Sequence, residues 1–233
     1  MDLHIGIIPD GNRRYAKIKN ITLDKLYENG YLKFKELIEA ISEEDEKEEN
    51  QILKRIKKLT FYICSRDNLT KRPREEVEII HKILYRLIKD FNSSDKSEKK
   101  KKVKIFLVGE YKSLLPKNLV QKLVSLSKSR SDENLVILTL AIGYDGRRQI
   151  THAFRQLRNK NLNFNDENLK NYLGPDIDLV VRTGYQKRMS SFFPWQTIYA
   201  EWFFLDKYWP EIEKENFIKI IEDFDKIERR FGK

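Results

Sequence analysis

Arginines recur along this chain beside glycines, asparagines and carboxylates. The stretch HIGIIPDGNRRYAK sets Asp10, Gly11 and Asn12 directly after an apolar run, and Arg13 and Arg14 directly after those. The mixture returns in SRDNLTKRP, with Arg66, Asp67, Asn68 and Arg72, in GYDGRR, and in RTGYQKRMSSF, with Arg182, Arg188 and Ser190. These groups hold phosphate oxygens and a divalent cation: a guanidinium is a planar fork for bidentate contact, and a glycine turn opening a helix aims backbone N–H groups at an anion. Asp10 and Glu201 are the carboxylates expected to share a hard cation such as Mg²⁺, which takes few protein carboxylates and fills its shell with substrate phosphates. A helix cap is the competing assignment for Asp10, and a surface ion pair for any one arginine. Arg14, Arg72, Arg182 and Arg188 on one rim shift the balance toward an anion.

That rim needs an α/β sheet to place it. Six short apolar runs, HIGII, LTFYIC, KIFLVG, LVILTLAI, DLVVRT and EWFFL, read as strands buried on both faces, and the spacing between them suits crossover helices. The helical patterns run over Asp24 to Ser42, Glu75 to Phe91, Pro116 to Ser129, Arg147 to Arg158 and Glu215 to Arg230. The expected architecture is a central, six-stranded, mostly parallel sheet surrounded by helices, as one domain over residues 1–233. In such sheets ligands gather outside the carboxyl ends of the strands, where the Arg-rich tails lie. SEEDEKEENQ and NSSDKSEKKKK carry no apolar period and are expected to be loops or solvated helix extensions.

Composition narrows the partners. With 13 Phe, 11 Tyr and 3 Trp the chain can fill a core, and 46 Lys and Arg against 36 Asp and Glu leave it at +10. That balance suits phosphorylated substrates, anionic membrane or nucleic acid, but no RNP-like aromatic strand or recognition helix supports the last. One cysteine, Cys64, can form neither an internal disulfide nor a cysteine-based metal site. With no basic-then-apolar leader, a reducing cytoplasm is the expected compartment. No apolar run approaches the roughly 18 residues of a membrane span, so any lipid contact is expected to be peripheral. The three histidines lack zinc spacing, and neither GxSxG nor GxxxxGK[ST] occurs.

Taken in order, HIGIIPDGNRRYAK, SRDNLTKRP, GYDGRRQI, DLVVRTGYQKRMSSFFPWQTIYAEWFF and ERRFG resemble the cis-prenyltransferases, the undecaprenyl diphosphate synthase family, over nearly the whole chain. The resemblance implies a homodimer whose sheet and helices enclose a hydrophobic tunnel. It also implies a Mg²⁺-dependent reaction that adds isopentenyl diphosphate repeatedly to an allylic diphosphate such as farnesyl or geranylgeranyl diphosphate. By the same resemblance Asp10 is the metal-linked aspartate, and Gly11, Asn12, Arg13, Arg14 and Tyr15 belong to the allylic diphosphate site. Ser65, Arg66, Asp67, Leu69 and Arg72 match its flexible loop, and Asn68 matches a proton acceptor. Arg182, Arg188, Met189 and Ser190 match the isopentenyl diphosphate pocket, Glu201 a second metal carboxylate, and Arg230 and Gly232 an element that can complete the neighbouring subunit's site.

The chain departs from the family pattern at Leu23 and Tyr27, which replace an arginine and a histidine, and at Gln149, Tyr185 and Gln186. These departures leave two other readings open: a non-catalytic subunit of a heteromeric prenyltransferase, or prenyl transfer to a non-isoprenoid acceptor. Val77, Ile80, Leu84, Leu87 and Phe91 form a helical stripe that either lines a tunnel or fills a core. A period of two along LTFYICS sets Ile63 on the face of Ser65, beneath the expected substrate loop.

Overall fold

The computed structural model describes residues 1–42, 48–93, 103–128 and 136–229. In chain order the strands are β1 (Leu3–Ile8), β2 (Ile56–Ser65), β3 (Val103–Val108), β4 (Val136–Tyr144), β5 (Leu179–Arg182) and β6 (Glu201–Phe204). Between β1 and β2 come α1 (Asn12–Lys19), α2 (Leu23–Ser42) and α3 (Glu48–Leu53); α4 (Arg66–Lys71) and α5 (Arg74–Ser93) precede β3. Then follow α6 (Tyr111–Leu114) and α7 (Lys117–Lys128), α8 (Gly146–Asn159) and α9 (Asp166–Leu173), and finally α10 (Lys214–Asp225). All six strands are parallel and stand in the order β3-β4-β2-β1-β5-β6.

The six apolar runs are these six strands, and each of the five helical patterns is a helix. The last helix stops at Asp225 rather than near Arg230, which lies outside the described residues together with Leu135, Ser129 and Gly232. The acidic and basic stretches fall mostly outside them too, except that α3 begins within the acidic one.

Burial explains the order. Every residue of β1 is buried, as a central parallel strand requires. Ile5, Ile7, Leu59, Phe61, Leu138 and Leu140 face one layer, packed by α2, α5, α7 and α10 through Phe34, Leu84, Leu123 and Ile221. Ile8, Tyr62, Ala141 and Val180 face the other, beneath Phe192 and Phe193. Phe34 meets Phe61 edge-on at 4.7 Å and Phe61 meets Trp209 at 5.2 Å, while the Trp209 indole donates to the Gly30 carbonyl at 2.8 Å. Each aromatic pair contributes roughly 0.5–1.5 kcal/mol beyond its buried area, so α2, β2 and the segment after β6 are tied at one point. Among the described residues no helix is long and apolar enough to cross a membrane.

Candidate active site

The order in which the chain adds strands reverses between the parallel neighbours β1 and β5. From β1 the chain moves to β2 on one side, and from β5 to β6 on the other, which opens a crevice above the carboxyl ends of the two central strands. Asp10 and Gly11 follow β1; Arg182 closes β5, and Thr183 and Gly184 follow it. The two tails touch backbone to backbone. Thr183 Oγ1 donates to the Asp10 carbonyl at 2.8 Å, and a Cβ on Gly184 would stand 2.7 Å from the Asp10 carbonyl carbon. Gly184 has φ +86°, so this crossing requires glycine for conformation and for space.

Asp10 is held from three sides. Its Oδ1 accepts the Gly11 N–H at 2.6 Å, its Oδ2 accepts Arg182 Nη2 at 2.8 Å, and Arg14 lies 3.7 Å from Oδ1. Arg182 is only 3% exposed and donates through Nη1 to Ser190 Oγ at 2.8 Å and to the Arg188 carbonyl. Helix α1 starts from left-handed Gly11 with no side chain capping its first turn, in contrast to α8, whose Asp145 accepts from Arg147 and Arg148 N–H. An uncapped N-terminus flanked by Arg13 and Arg14 is an anion site. Tyr208 packs behind it, against Tyr15 and Tyr185, with the Arg14 guanidinium 5.8 Å over its ring.

The opposite rim comes from β2, β3 and β4. Arg66 donates to Glu110 Oε2 at 3.0 Å, and Arg148 donates to Glu110 Oε1. Burial opposes ionisation of Glu110, but the Arg148 and Arg66 hydrogen bonds outweigh it and its pKa is lowered. Ser191 Oγ donates to Asp145 Oδ1 at 3.0 Å, which joins the start of α8 to the segment after β5. Between the rims opens a cavity of about 750 Å³. Its mouth carries Asp10 to Arg14, Arg72, Arg182 and Arg188; its depth is apolar, walled by Phe34, Ile63, Ile80, Ile83, Leu84 and Leu87. Burial pushes the Cys64 thiol on its wall up to about 11, which leaves no thiolate to react.

The family model described as "Putative undecaprenyl diphosphate synthase" matches residues 8–232. The chain belongs to the undecaprenyl diphosphate synthase family. A Pyrobaculum aerophilum protein named tritrans,polycis-undecaprenyl-diphosphate synthase (geranylgeranyl-diphosphate specific) is 35% identical over 99% of this chain and 95% of its own length. An isoprenyl transferase of Campylobacter jejuni is 32% identical over 99% of this chain and 98% of its own. Among solved structures, a probable undecaprenyl diphosphate synthase from Campylobacter jejuni superposes with a TM-score of 0.80 at 28% identity, covering 100% of this chain and 99% of that one.

Within this undecaprenyl diphosphate synthase fold, Asp10, Gly11, Asn12, Arg13, Arg14, Ser65, Arg66, Asp67, Asn68, Arg72, Arg182, Arg188 and Ser190 all line the one cavity. Several expected site residues stand elsewhere. Tyr15 lies against Tyr208, Leu69 packs on the core, and Met189 is exposed. Arg230 and Gly232 lie outside the described residues. Glu201 does not meet Asp10: it opens β6 opposite Leu179, three residues below the Arg182–Phe204 pair, roughly 10 Å toward the amino edge of the sheet at about 3.3 Å per residue. The physical reason is direction, since in a parallel sheet a strand's first residue lies at the edge away from the crevice. Ser65 to Lys71, expected as a loop, is a cap and a helical turn: Asn68 N–H donates to Ser65 Oγ and Ser65 N–H to Asn68 Oδ1, both at 3.1 Å.

The sequence reading missed Glu76, Asp145 and Ser191. Asp145 had a signal, as a cap candidate between a strand and a helix. Glu76 had one too, four residues after Arg72.

Proposed function

We propose that the protein condenses isopentenyl diphosphate onto an allylic diphosphate, repeatedly, to build a polyprenyl diphosphate. The observation that carries this is the joining of one anion site, made of the α1 N-terminus, Arg14 and the Asp10–Arg182 pair, to an apolar cavity of about 750 Å³. That volume falls in the usual range of roughly 300–1,000 Å³ for small-molecule sites.

Departure of diphosphate from the allylic carbon develops negative charge on the leaving oxygens. The first-turn amides of α1 and the Arg13 and Arg14 guanidiniums are already oriented toward that charge and need no reorganisation. Arg182, Arg188 and Ser190 hold the diphosphate of isopentenyl diphosphate, whose double bond attacks the allylic carbon. Asn68 Oδ1 already accepts from Ser65, and a carboxamide is a weak base, so the proton released passes to a diphosphate oxygen or water. The apolar wall keeps the growing tail from water.

The donors at the mouth fit Mg²⁺. Among the described residues no three His, Cys, Asp or Glu side chains converge, yet Mg²⁺ binds through one or two carboxylates plus substrate phosphates, and Asp10 offers one carboxylate at the cavity mouth. When bound there, the ion would neutralise diphosphate charge. The named specificity of the Pyrobaculum aerophilum relative supports geranylgeranyl diphosphate as the starter. We extend the reading to a homodimer that receives and releases its lipid substrates at a membrane surface. The test is labelled isopentenyl diphosphate incubated with geranyl, farnesyl or geranylgeranyl diphosphate and Mg²⁺, followed by sizing of the products. Chains several isoprene units longer than the starter are expected, and no incorporation with any starter would refute the reading.

A further inference from the structure

Glu76 is 3% exposed, in the first turn of α5. A carboxylate so far from water needs a cation, and Arg72 Nη1 supplies it, donating to Oε1 at 2.8 Å. Tyr27, on α2, completes a triangle: its hydroxyl donates to Glu76 Oε1 at 2.7 Å and accepts from Arg72 Nη1. Burial, only partly offset by Arg72, holds the Tyr27 hydroxyl well above the ordinary phenol range, so it stays protonated and keeps donating. Nη1 has two N–H bonds, and the triangle uses both. The Nε and Nη2 edge remains, and among the described residues nothing accepts from it. That edge gives a guanidinium its bidentate grip on phosphate.

Arg72 and Tyr27 both line the cavity, with Arg13 and Arg14, and the helices that carry Tyr27 and Glu76 also supply the apolar walls through Phe34, Ile80, Leu84 and Leu87. The substrate whose tail occupies that depth is the allylic one, so its diphosphate lies nearest this fork. An unanchored arginine would have to lose its rotamer freedom on each binding event, whereas one fixed through Nη1 has already lost it.

We propose that Tyr27 is a positioning residue that, together with Glu76, locks Arg72 by one nitrogen and presents its free edge to the diphosphate of the allylic substrate. This rests on the reading that the cavity takes an allylic diphosphate. The variants are Tyr27→Phe, which keeps the ring and its packing, Arg72→Lys, and the two combined. Calorimetric titration with geranylgeranyl diphosphate alone, in Mg²⁺, measures binding without turnover, and steady-state rates give the two Michaelis constants. Tyr27→Phe is expected to weaken geranylgeranyl diphosphate binding by roughly tenfold to a hundredfold, as for loss of an aligned hydrogen bond to a charged group, and to leave the KM for isopentenyl diphosphate unchanged. In the Arg72→Lys background the same change is expected to do nothing further, because Tyr27 acts through the guanidinium. Wild-type affinity in Tyr27→Phe, an equal loss in both backgrounds, or an equal rise in both Michaelis constants would overturn the proposal while leaving the function standing. A wild-type protein that binds no allylic diphosphate would overturn both.

Discussion

Replacing Gly184 by alanine tests the crossing of the two central tails. The new Cβ would lie 2.7 Å from the Asp10 carbonyl carbon, 2.8 Å from Gly11 N and 2.9 Å from the Asp10 carbonyl oxygen, all backbone atoms with no side-chain freedom to yield. Ordinary contact begins near 3.4 Å, so the Asp10 backbone must retreat by about 0.7 Å. The left-handed backbone at φ +86° adds roughly 1–2 kcal/mol of strain, and overpacking typically adds roughly 1–3 kcal/mol. Gly184→Ala should therefore lose about 2–5 kcal/mol, a fall of roughly 5–15 °C in Tm for a chain of this size. The retreat also carries Asp10 away from Arg182 and from its bond with Thr183, and a displacement near 1 Å costs on the order of 100-fold in rate, so kcat/KM should drop about 10- to 100-fold. Gly174→Ala is the control. Its φ is +92° with nothing within 4 Å of the added carbon, so it should lose about 1–3 kcal/mol of stability to backbone strain and no activity. Differential scanning fluorimetry and initial rates measure both. A Gly184→Ala protein with wild-type Tm and rate would refute the crossing, and one no slower than Gly174→Ala would break its link to the site.

Asp10→Asn should fold yet lose roughly two to four orders of magnitude in kcat, because its amide nitrogen cannot accept from Arg182 and the charge at the cavity mouth is gone; rates at saturating Mg²⁺ beside circular dichroism check this. Ile63→Ala should shift products toward longer chains at a cost of about 1–2 kcal/mol, less than the roughly 2–5 kcal/mol of a fully buried site, since Ile63 is half-buried on the cavity wall; chromatographic sizing beside Leu84→Ala reads the effect. His4 bonds the Asp176 carbonyl and Thr60 Oγ1, and burial lowers its pKa to about 4 from 6.5. The unfolded chain then binds more protons between those values, so stability falls as pH drops from 6.5 toward 4, by about 2 kcal/mol from pH 7 to pH 5. Urea melts across that range should show the slope, and His4→Gln should flatten it.

Much of this site was legible because its groups sit next to strands that announce themselves. The run HIGII must end somewhere, and what stands at its end, Asp10 and Gly11, is thereby at a sheet edge; DLVVRT delivers Arg182 in the same way. Continuous apolar character in both runs says they are central and parallel, so both tails reach the same edge. Glu201 shows where this logic fails: it opens a strand instead of closing one, and the strand's direction carries it away from the crevice. The triangle of Tyr27, Arg72 and Glu76 was half visible, since Arg72 and Glu76 are four apart, but Tyr27 joins across 49 positions and only the packing of α2 on α5 brings it there. The cap of α4 was hidden differently. Ser65 and Asn68 fit a substrate loop and a reciprocal cap equally well, and their bonds show both side chains committed to the helix start.

Asp10 and Arg182 stand 172 residues apart, and Trp209, which donates to Gly30, comes later still. On a ribosome adding roughly 5–20 residues each second, Asp10 is complete roughly 10–35 s before its partner exists. Through that interval β1 has no β5 beside it, and the open flank of a central strand whose every residue is buried in the finished fold is a ready template for mispairing. The nascent chain thus carries Asp10 on an unfinished edge for most of its synthesis, and the segment that brings its partner Arg182 is also the one that closes the vulnerable side of the sheet.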